Sequence, residues 1–197
     1  MKYVIRIAER KDAEAVHDIY GHYVNHTTTT FCTVNPSVSD YVQKIETTEK
    51  MYPFLVAEWD GKVIGFTYGA QFRAHGAYLW NVESTICLAP DTPRRCGIGS
   101  ALYGRMLEML KEQGFLSVYG VVVETNEPSL ALHRSLGFRP AAHFAQMGYK
   151  HGAWLGVFWM QKQIGSVDGE PTPPIPFAEY RREVVGSWQY TVPTPGI

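Results

Sequence analysis

Cysteine is scarce in this chain: there are three, Cys32, Cys87 and Cys96, with no CxxC spacing and an odd total. That is neither a disulfide framework nor a zinc site. An excess of charge is lacking too: 18 Lys and Arg stand against 19 Asp and Glu, for a formal net charge of −1. Such a balance leaves no electrostatic footprint for nucleic acid or an anionic membrane, so the expected partners are small molecules. No stretch approaches the roughly 18 uninterrupted apolar residues of a membrane span. The N-terminal MKYVIRIAERKDAEAV is broken by charge from its start and has no apolar signal core. A soluble, cytoplasmic protein is therefore expected. The seven histidines include no HExxH pattern, and no metal is expected.

What is present is a chain of 197 residues, 45% hydrophobic, enough to bury a core without disulfides or metals. Tyr3 to Ala8 alternates as a strand. Asp12 is placed to cap a helix carrying Ala15, Val16, Ile19, Tyr20 and Tyr23 at helical spacing. A polar loop with four consecutive threonines, Thr27–Thr30, then leads through Phe31 to a second helix over Val38 to Thr48. Phe54 to Trp59 and Lys62 to Ala70 read as a hairpin joined at Asp60-Gly61. Ala77 to Leu88 reads as a long central strand, and Ile98, Leu102, Met106, Met109 and Leu110 as a helix stopping at Gly114. Leu116 to Val123 is almost continuously apolar, as suits a strand buried on both faces. A helix opening near Pro128 and stopping at Gly137 follows, then two strands over about Phe138–Gln146 and Trp154–Gln161. The order β-α-α-β-β-β-α-β-α-β-β is α+β, antiparallel at first and then with a crossover of parallel character. Residues 1–164 form the expected domain. Residues 165–197, proline-rich and aperiodic, read as a tail lying on the surface.

Between the central strand and its following helix lies Arg94-Arg95-Cys96-Gly97-Ile98-Gly99. Glycines there let backbone N–H groups approach a phosphate, the helix N-terminus adds partial positive charge, and the arginines add formal charge. The spacing is neither the GxGxxG of a dinucleotide fold nor a P-loop, because Gly99 is followed by Ser100-Ala101 instead of Lys-Ser or Lys-Thr. By itself this GxG is equally compatible with a simple tight turn.

Arg94-x-x-Gly97-x-Gly99 after a long apolar strand, with Asn126-x-x-Ser129 and Leu136-Gly137-Phe138 downstream, resembles the two acetyl-CoA signatures of the GNAT superfamily of N-acetyltransferases. Ile19-Tyr20-Gly21-His22-Tyr23, Tyr52-Pro53-Phe54-Leu55-Val56-Ala57-Glu58, Val82-Glu83-Ser84-Thr85 and Gly148-Tyr149-Lys150-His151-Gly152-Ala153-Trp154 resemble its phosphinothricin and methionine sulfone acetyltransferase branch. The likeness runs from about Ile5 to Lys162. It implies the GNAT fold, a mixed, mostly antiparallel sheet of about seven strands with helices on both faces. It also implies acetyl-CoA as cosubstrate, a homodimer, and acetylation of the α-amine of a small amino-acid-like molecule.

The resemblance assigns roles to particular residues. Glu83 matches the acidic residue of the Val-Glu-Ser-Thr segment and would act as general base on the ammonium, its pKa raised by apolar neighbours. Backbone groups of Ile86, Cys87 and Leu88 would face the pantetheine and thioester. Arg94, Arg95, Cys96, Gly97, Ile98 and Gly99 would hold the pyrophosphate, with Asn126 and Ser129 beside the pantetheine arm. His133 stands where many relatives carry a tyrosine acid for the leaving thiolate; it would donate that proton or only hydrogen-bond the cofactor or backbone. Arg73 would clamp an anionic group of the acceptor or stand as a solvated loop arginine. Phe31 and the threonine run would form part of a lid over the substrate or a plain polar loop. Tyr149, Lys150, His151 and Trp154 would border the substrate pocket, that of the partner subunit in a dimer, or serve structure alone. An acetyl-cysteine at Cys87 is conceivable, but direct transfer needs none. Two other readings stay open: a GNAT enzyme for a polyamine, aminoglycoside or protein N-terminus, and an acetyl-CoA-binding sensor without turnover.

Overall fold

The computed structural model describes residues 2–93, 95–185 and 189–193. Three antiparallel strands, β1 (Lys2–Ile7), β2 (Phe54–Trp59) and β3 (Lys62–Gln71), lead into β4 (Asn81–Leu88). The helix α3 (Ile98–Glu112) then crosses over to β5 (Ser117–Val123), which lies parallel to β4. A crossover of this kind is what parallel neighbours require. After α4 (Glu127–Ser135) the chain closes with the antiparallel pair β6 (Arg139–Lys150) and β7 (Ala153–Gln163). The sheet order is β6-β7-β5-β4-β3-β2-β1-β8, where β8 (Gln189–Pro193) comes from the segment beyond 165. The architecture is α+β, with eight strands among the described residues.

Two cores flank this sheet. On one face α1 (Ala13–His26) and α2 (Val38–Thr48) pack against Phe54, Val56, Phe66 and Tyr68. The first turn of α2 is fixed by a capping box between Ser37 and Asp40, the signature its sequence carries. On the other face α3 buries Leu102, Tyr103, Met106 and Leu110 against Val82, Val118 and Val122, and α4 adds Leu130. The period of the apolar residues in α3 is what makes one stripe of it disappear into the protein.

Three details differ from the sequence reading. The central strand starts at Asn81 and not at Ala77, because His75–Leu79 closes a 3-10 turn through Tyr78 N–H to His75 O and Leu79 N–H to Gly76 O. The strand β6 runs on to Lys150, kinked by register shifts at Pro140/Ala142 and Phe144/Gly148 that interrupt its alternation. The segment past 165 also does more than lie on the surface. Phe177 and Tyr180, in the short helix α5 (Phe177–Tyr180), are buried in the α3-side core, and Gln113 holds Met51 O and Ile175 O. The β8 strand then pairs antiparallel with β1 from Lys2↔Pro193 to Arg6↔Gln189. Proline richness hid these anchors because they are single aromatic residues without a period.

Candidate active site

The strands β4 and β5 are hydrogen-bonded only from Asn81↔Ser117 to Ser84↔Gly120. Beyond that point β4 stays paired to β3 and β5 to β7, so the two parallel strands part and open a cleft toward their C-terminal ends. A cleft outside the carboxyl ends of parallel strands is where α/β sheets bind ligands. Its vertex is packed from the α3 side. A Cβ at Gly120 would overlap His133 Nε2, so the bare glycine is what lets the imidazole lie against the strand. The Tyr103 hydroxyl stands 2.6 Å from Ser84 Oγ and 3.2 Å from His133 Nε2, and Ser84 donates to Tyr119 O at 2.9 Å.

The backbone past Ser84, including Ile86, Cys87 and Leu88, therefore lies along the opened edge of β4. The Leu88 carbonyl already accepts from Tyr23 Oη at 2.6 Å. Burial pushes the Cys87 thiol up to about 12, which keeps it a thiol and unsuited to nucleophilic attack. The loop after β4 is anchored by Thr92 Oγ1 on Ile64 O at 2.9 Å and by Cys96 Sγ on Pro93 O at 2.7 Å. Cys96 thus spends its thiol on the loop itself. Arg95 is exposed at φ 60°, and Gly97, at φ 78°, turns the chain into α3, which begins with the buried Ile98 and has Gly99 as its second residue. The N–H groups of a first turn have no intrahelical acceptors, and this turn starts beside the end of β4, where a Cβ at Gly99 would lie 3.5 Å from Leu88 Cδ1. Arg94 lies outside the described residues. At the C-terminal end of β5, Asn126 caps α4, accepting from Ser129 N–H at 3.3 Å. A glycine-turned helix start with an arginine, beside a parted strand pair, fits a pyrophosphate and a pantetheine arm, as acetyl-CoA requires.

Glu83 sits on the other face of the sheet, on the side of α1 and α2, with Tyr119 as its neighbour on β5. Burial raises the Glu83 carboxyl above its ordinary range; the nearby charges of Arg73 and Lys44 oppose the shift without cancelling it. Arg73 is exposed, and its guanidinium lies 4.8 Å from the Phe72 ring centre and 4.9 Å from that of Trp159, while Nη1 donates to Phe72 O. Phe72 in turn stacks on Tyr119 at 4.4 Å. The result is a carboxylate, a guanidinium and an aromatic wall at the closed end of the cleft.

The structure thus brings Glu83 and Arg73 into one electrostatic neighbourhood, and sets Phe31 further along the same face, against Val123, Leu155 and Val157. His151 is not brought in: it occupies the turn between β6 and β7, exposed, at φ 48°. Tyr149 and Trp154 are exposed as well, whereas their neighbour Lys150 is buried. His133 is buried on the opposite face, with Nδ1–H donating to Ser129 O at 2.8 Å and its pKa lowered by burial. His22 and His26 stand one turn apart near the end of α1, rings 5.5 Å apart, but no group of three His, Cys, Asp or Glu that could hold a metal occurs among the described residues. Among those residues no helix is long and apolar enough to cross a membrane. Lys44, Phe72, Tyr119 and Trp159 were not picked out from the sequence. Each is an ordinary residue of a helix, loop or strand until the sheet gathers them around Glu83.

Comparison with known proteins shows the family. Residues 5–159 match the acetyltransferase (GNAT) domain model. A phosphinothricin N-acetyltransferase of Streptomyces viridochromogenes is 37% identical over 172 residues, covering 87% of this chain and 91% of the relative. The L-amino acid N-acyltransferase MnaT of Escherichia coli is 30% identical, covering 81% and 93%. Among solved structures, a phosphinothricin acetyltransferase of Sinorhizobium meliloti in complex with acetyl-CoA superposes with a TM-score of 0.83 at 32% identity, covering 89% of this chain and 96% of that one.

Proposed function

From the premise that this chain belongs to the GNAT acetyltransferase family, we propose that it transfers acetyl from acetyl-CoA directly to the α-amine of a small, anionic amino-acid-like acceptor of the phosphinothricin or methionine sulfone type. The observation that carries this reading is Glu83, a half-buried carboxylate of raised pKa beside Arg73 at the vertex where β4 and β5 part. Relatives named for phosphinothricin and for methionine sulfoximine and sulfone support the acceptor class.

In this mechanism Glu83 takes the proton of the acceptor ammonium, and the freed amine attacks the thioester carbonyl. The C–S bond breaks, the thiolate leaves, and the proton shed by the new amide nitrogen neutralises it by way of solvent. A backbone N–H on the opened edge of β4 polarises the carbonyl oxygen. Arg73, held between two aromatic rings, receives the carboxylate of the acceptor. His133 acts by position: its Nδ1–H is spent on Ser129 O, and Nε2 faces the Tyr103 hydroxyl, so the neutral ring has no proton to offer a thiolate. The cations of Arg73 and Lys44, both near Glu83, disfavour a polyamine acceptor. The reading includes a cytoplasmic homodimer, for which Tyr149 and Trp154, paired across β6 and β7, and Met147 offer exposed apolar side chains.

Thiol release measured with methionine sulfone, phosphinothricin, spermidine and a peptide tests it. Turnover with the first two is expected. Turnover with spermidine or the peptide alone overturns the acceptor class, and acetyl-CoA binding without turnover on any amine makes the protein a sensor.

A further inference from the structure

Lys150, the last residue of β6, is 5% exposed, yet it forms no ion pair among the described residues. Its ammonium donates instead to two carbonyls, Thr30 O at 2.9 Å and Tyr23 O at 3.4 Å. Burial lowers its pKa. A charged group taken from water and set on neutral acceptors is costly, so what it holds has to matter. Tyr23 O belongs to the last turn of α1, the negative end of that helix, and Thr30 O belongs to the turn that follows. One ammonium therefore ties the end of α1 and the threonine turn to the tip of the β6–β7 hairpin.

The same turn has a second, apolar anchor. The Phe31 ring fills the space left by Gly148: a Cβ there would lie 2.5 Å from Phe31 Cε2. Phe31 also packs against the cluster of Val123, Leu155 and Val157, where β5 ends and β7 begins. At the opposite side of the cleft, Tyr23 Oη holds Leu88 O of β4, and Tyr20 Oη meets Thr30 Oγ1 at 2.7 Å. The Thr27–Cys32 turn thus reaches from the β4 side of the parted strands to the β5 side, on the face that carries Glu83.

We propose that Lys150 and Gly148 are positioning residues that latch the Thr27–Cys32 turn as a roof over the acceptor side of the cleft, so that the thioester meets the amine and not water. This rests on the acetyl-transfer reading above, which sets the thioester beneath that turn. The competing reaction balances simply: water adds to the acetyl carbon, the C–S bond breaks, and acetate and CoA thiol are released. An undocked roof admits water and misplaces the acceptor together.

The test uses the full-length chain and two variants that undo the latch from different ends. Lys150→Met removes the ammonium but keeps most of the side-chain volume. Gly148→Ala drives a methyl group into the Phe31 ring, at a position whose φ needs no glycine. CoA release is measured with and without methionine sulfone, alongside melting temperature and acetyl-CoA affinity. The expected result is a rise of about tenfold in KM for the amine and in the ratio of hydrolysis to acetylation. Acetyl-CoA affinity should stay within about twofold of wild type. Folded variants with unchanged KM and unchanged hydrolysis overturn the latch. Should Lys150→Met fail to fold, Gly148→Ala decides. If the wild-type chain acetylates no amine, the functional reading falls. The latch is then judged on acetyl-CoA hydrolysis alone, which needs no acceptor.

Discussion

Gly120 and His133 meet so closely that a single methyl group on the glycine would overlap the imidazole at Nε2. This contact lies where β4 and β5 stop pairing, and it links the α4 side of the protein to the vertex of the cleft. Both nitrogens of His133 are engaged, by Ser129 O and the Tyr103 hydroxyl, so the ring has no free direction in which to yield. Gly120→Ala should therefore cost about 1–3 kcal/mol of stability by overpacking. It should also weaken acetyl-CoA binding, because the parted strands are where the pantetheine is expected. Urea denaturation with and without acetyl-CoA checks both effects, and a variant as stable as wild type would show that the ring moves freely.

As the proposed general base, Glu83 should set the pH profile. A general base must be ionised to accept the proton, so kcat/KM should fall as pH drops through its pKa. Burial places that limb above the range of a free carboxylate. Glu83→Gln should remove the limb and lower kcat by about 10²- to 10⁴-fold, with acetyl-CoA affinity unchanged. A pH–rate profile of both proteins is the measurement. An acid limb that persists in the variant would assign it to another group.

Trp159 should matter through Arg73. The guanidinium lies 4.9 Å from the indole ring centre, and the electrostatic attraction of a cation to an aromatic face holds it over Glu83's side of the sheet. Trp159→Ala should raise KM for an anionic acceptor by about three- to tenfold, the equivalent of about 0.5–1.5 kcal/mol, and leave KM for acetyl-CoA alone. Arg73→Ala should do the same more strongly. Equal KM values in all three proteins would leave Arg73 as a solvated loop residue.

Glu49 makes stability depend on pH. Burial raises its pKa to about 7, against the pull of Arg181, whose Nη1 lies 3.0 Å from Oε2. The folded protein then holds this proton more tightly than the unfolded chain. Stability is accordingly greatest below the unfolded carboxyl pKa and is lost as pH rises toward 7. Glu49→Gln should remove the cost and stabilise the protein by about 1 kcal/mol at pH 8, after discounting for partial exposure, and much less at pH 5. Thermal melts at the two pH values decide it.

The elements were legible wherever the pattern was local. The stripe Leu102, Met106, Leu110 announces α3, Asp60-Gly61 announces a hairpin, and both lie where expected. The loop ending at Gly97 was legible for the same reason: a left-handed turn opening a helix is written in adjacent residues. The start of β4 was not, since Ala77–Trp80 is apolar enough for a strand and only the hydrogen bonds of its 3-10 turn decide otherwise. The strand β8 was missed because pairing with β1 depends on a backbone edge left open some 190 residues earlier in the chain.

By itself the sequence determined the α+β order of elements, the glycine turn that opens α3 and the acidic residue on the central strand, because periodicity, turn chemistry and short motifs act between neighbours. The tertiary structure decided the rest. It parted β4 from β5 at Gly120, and it gave Arg73 to Phe72 and Trp159. It also buried His133 behind Tyr103 and carried Lys150 to the carbonyls of Tyr23 and Thr30. Each of those contacts joins residues far apart in the chain. Their energies depend on distance, burial and orientation in space, which no local pattern encodes.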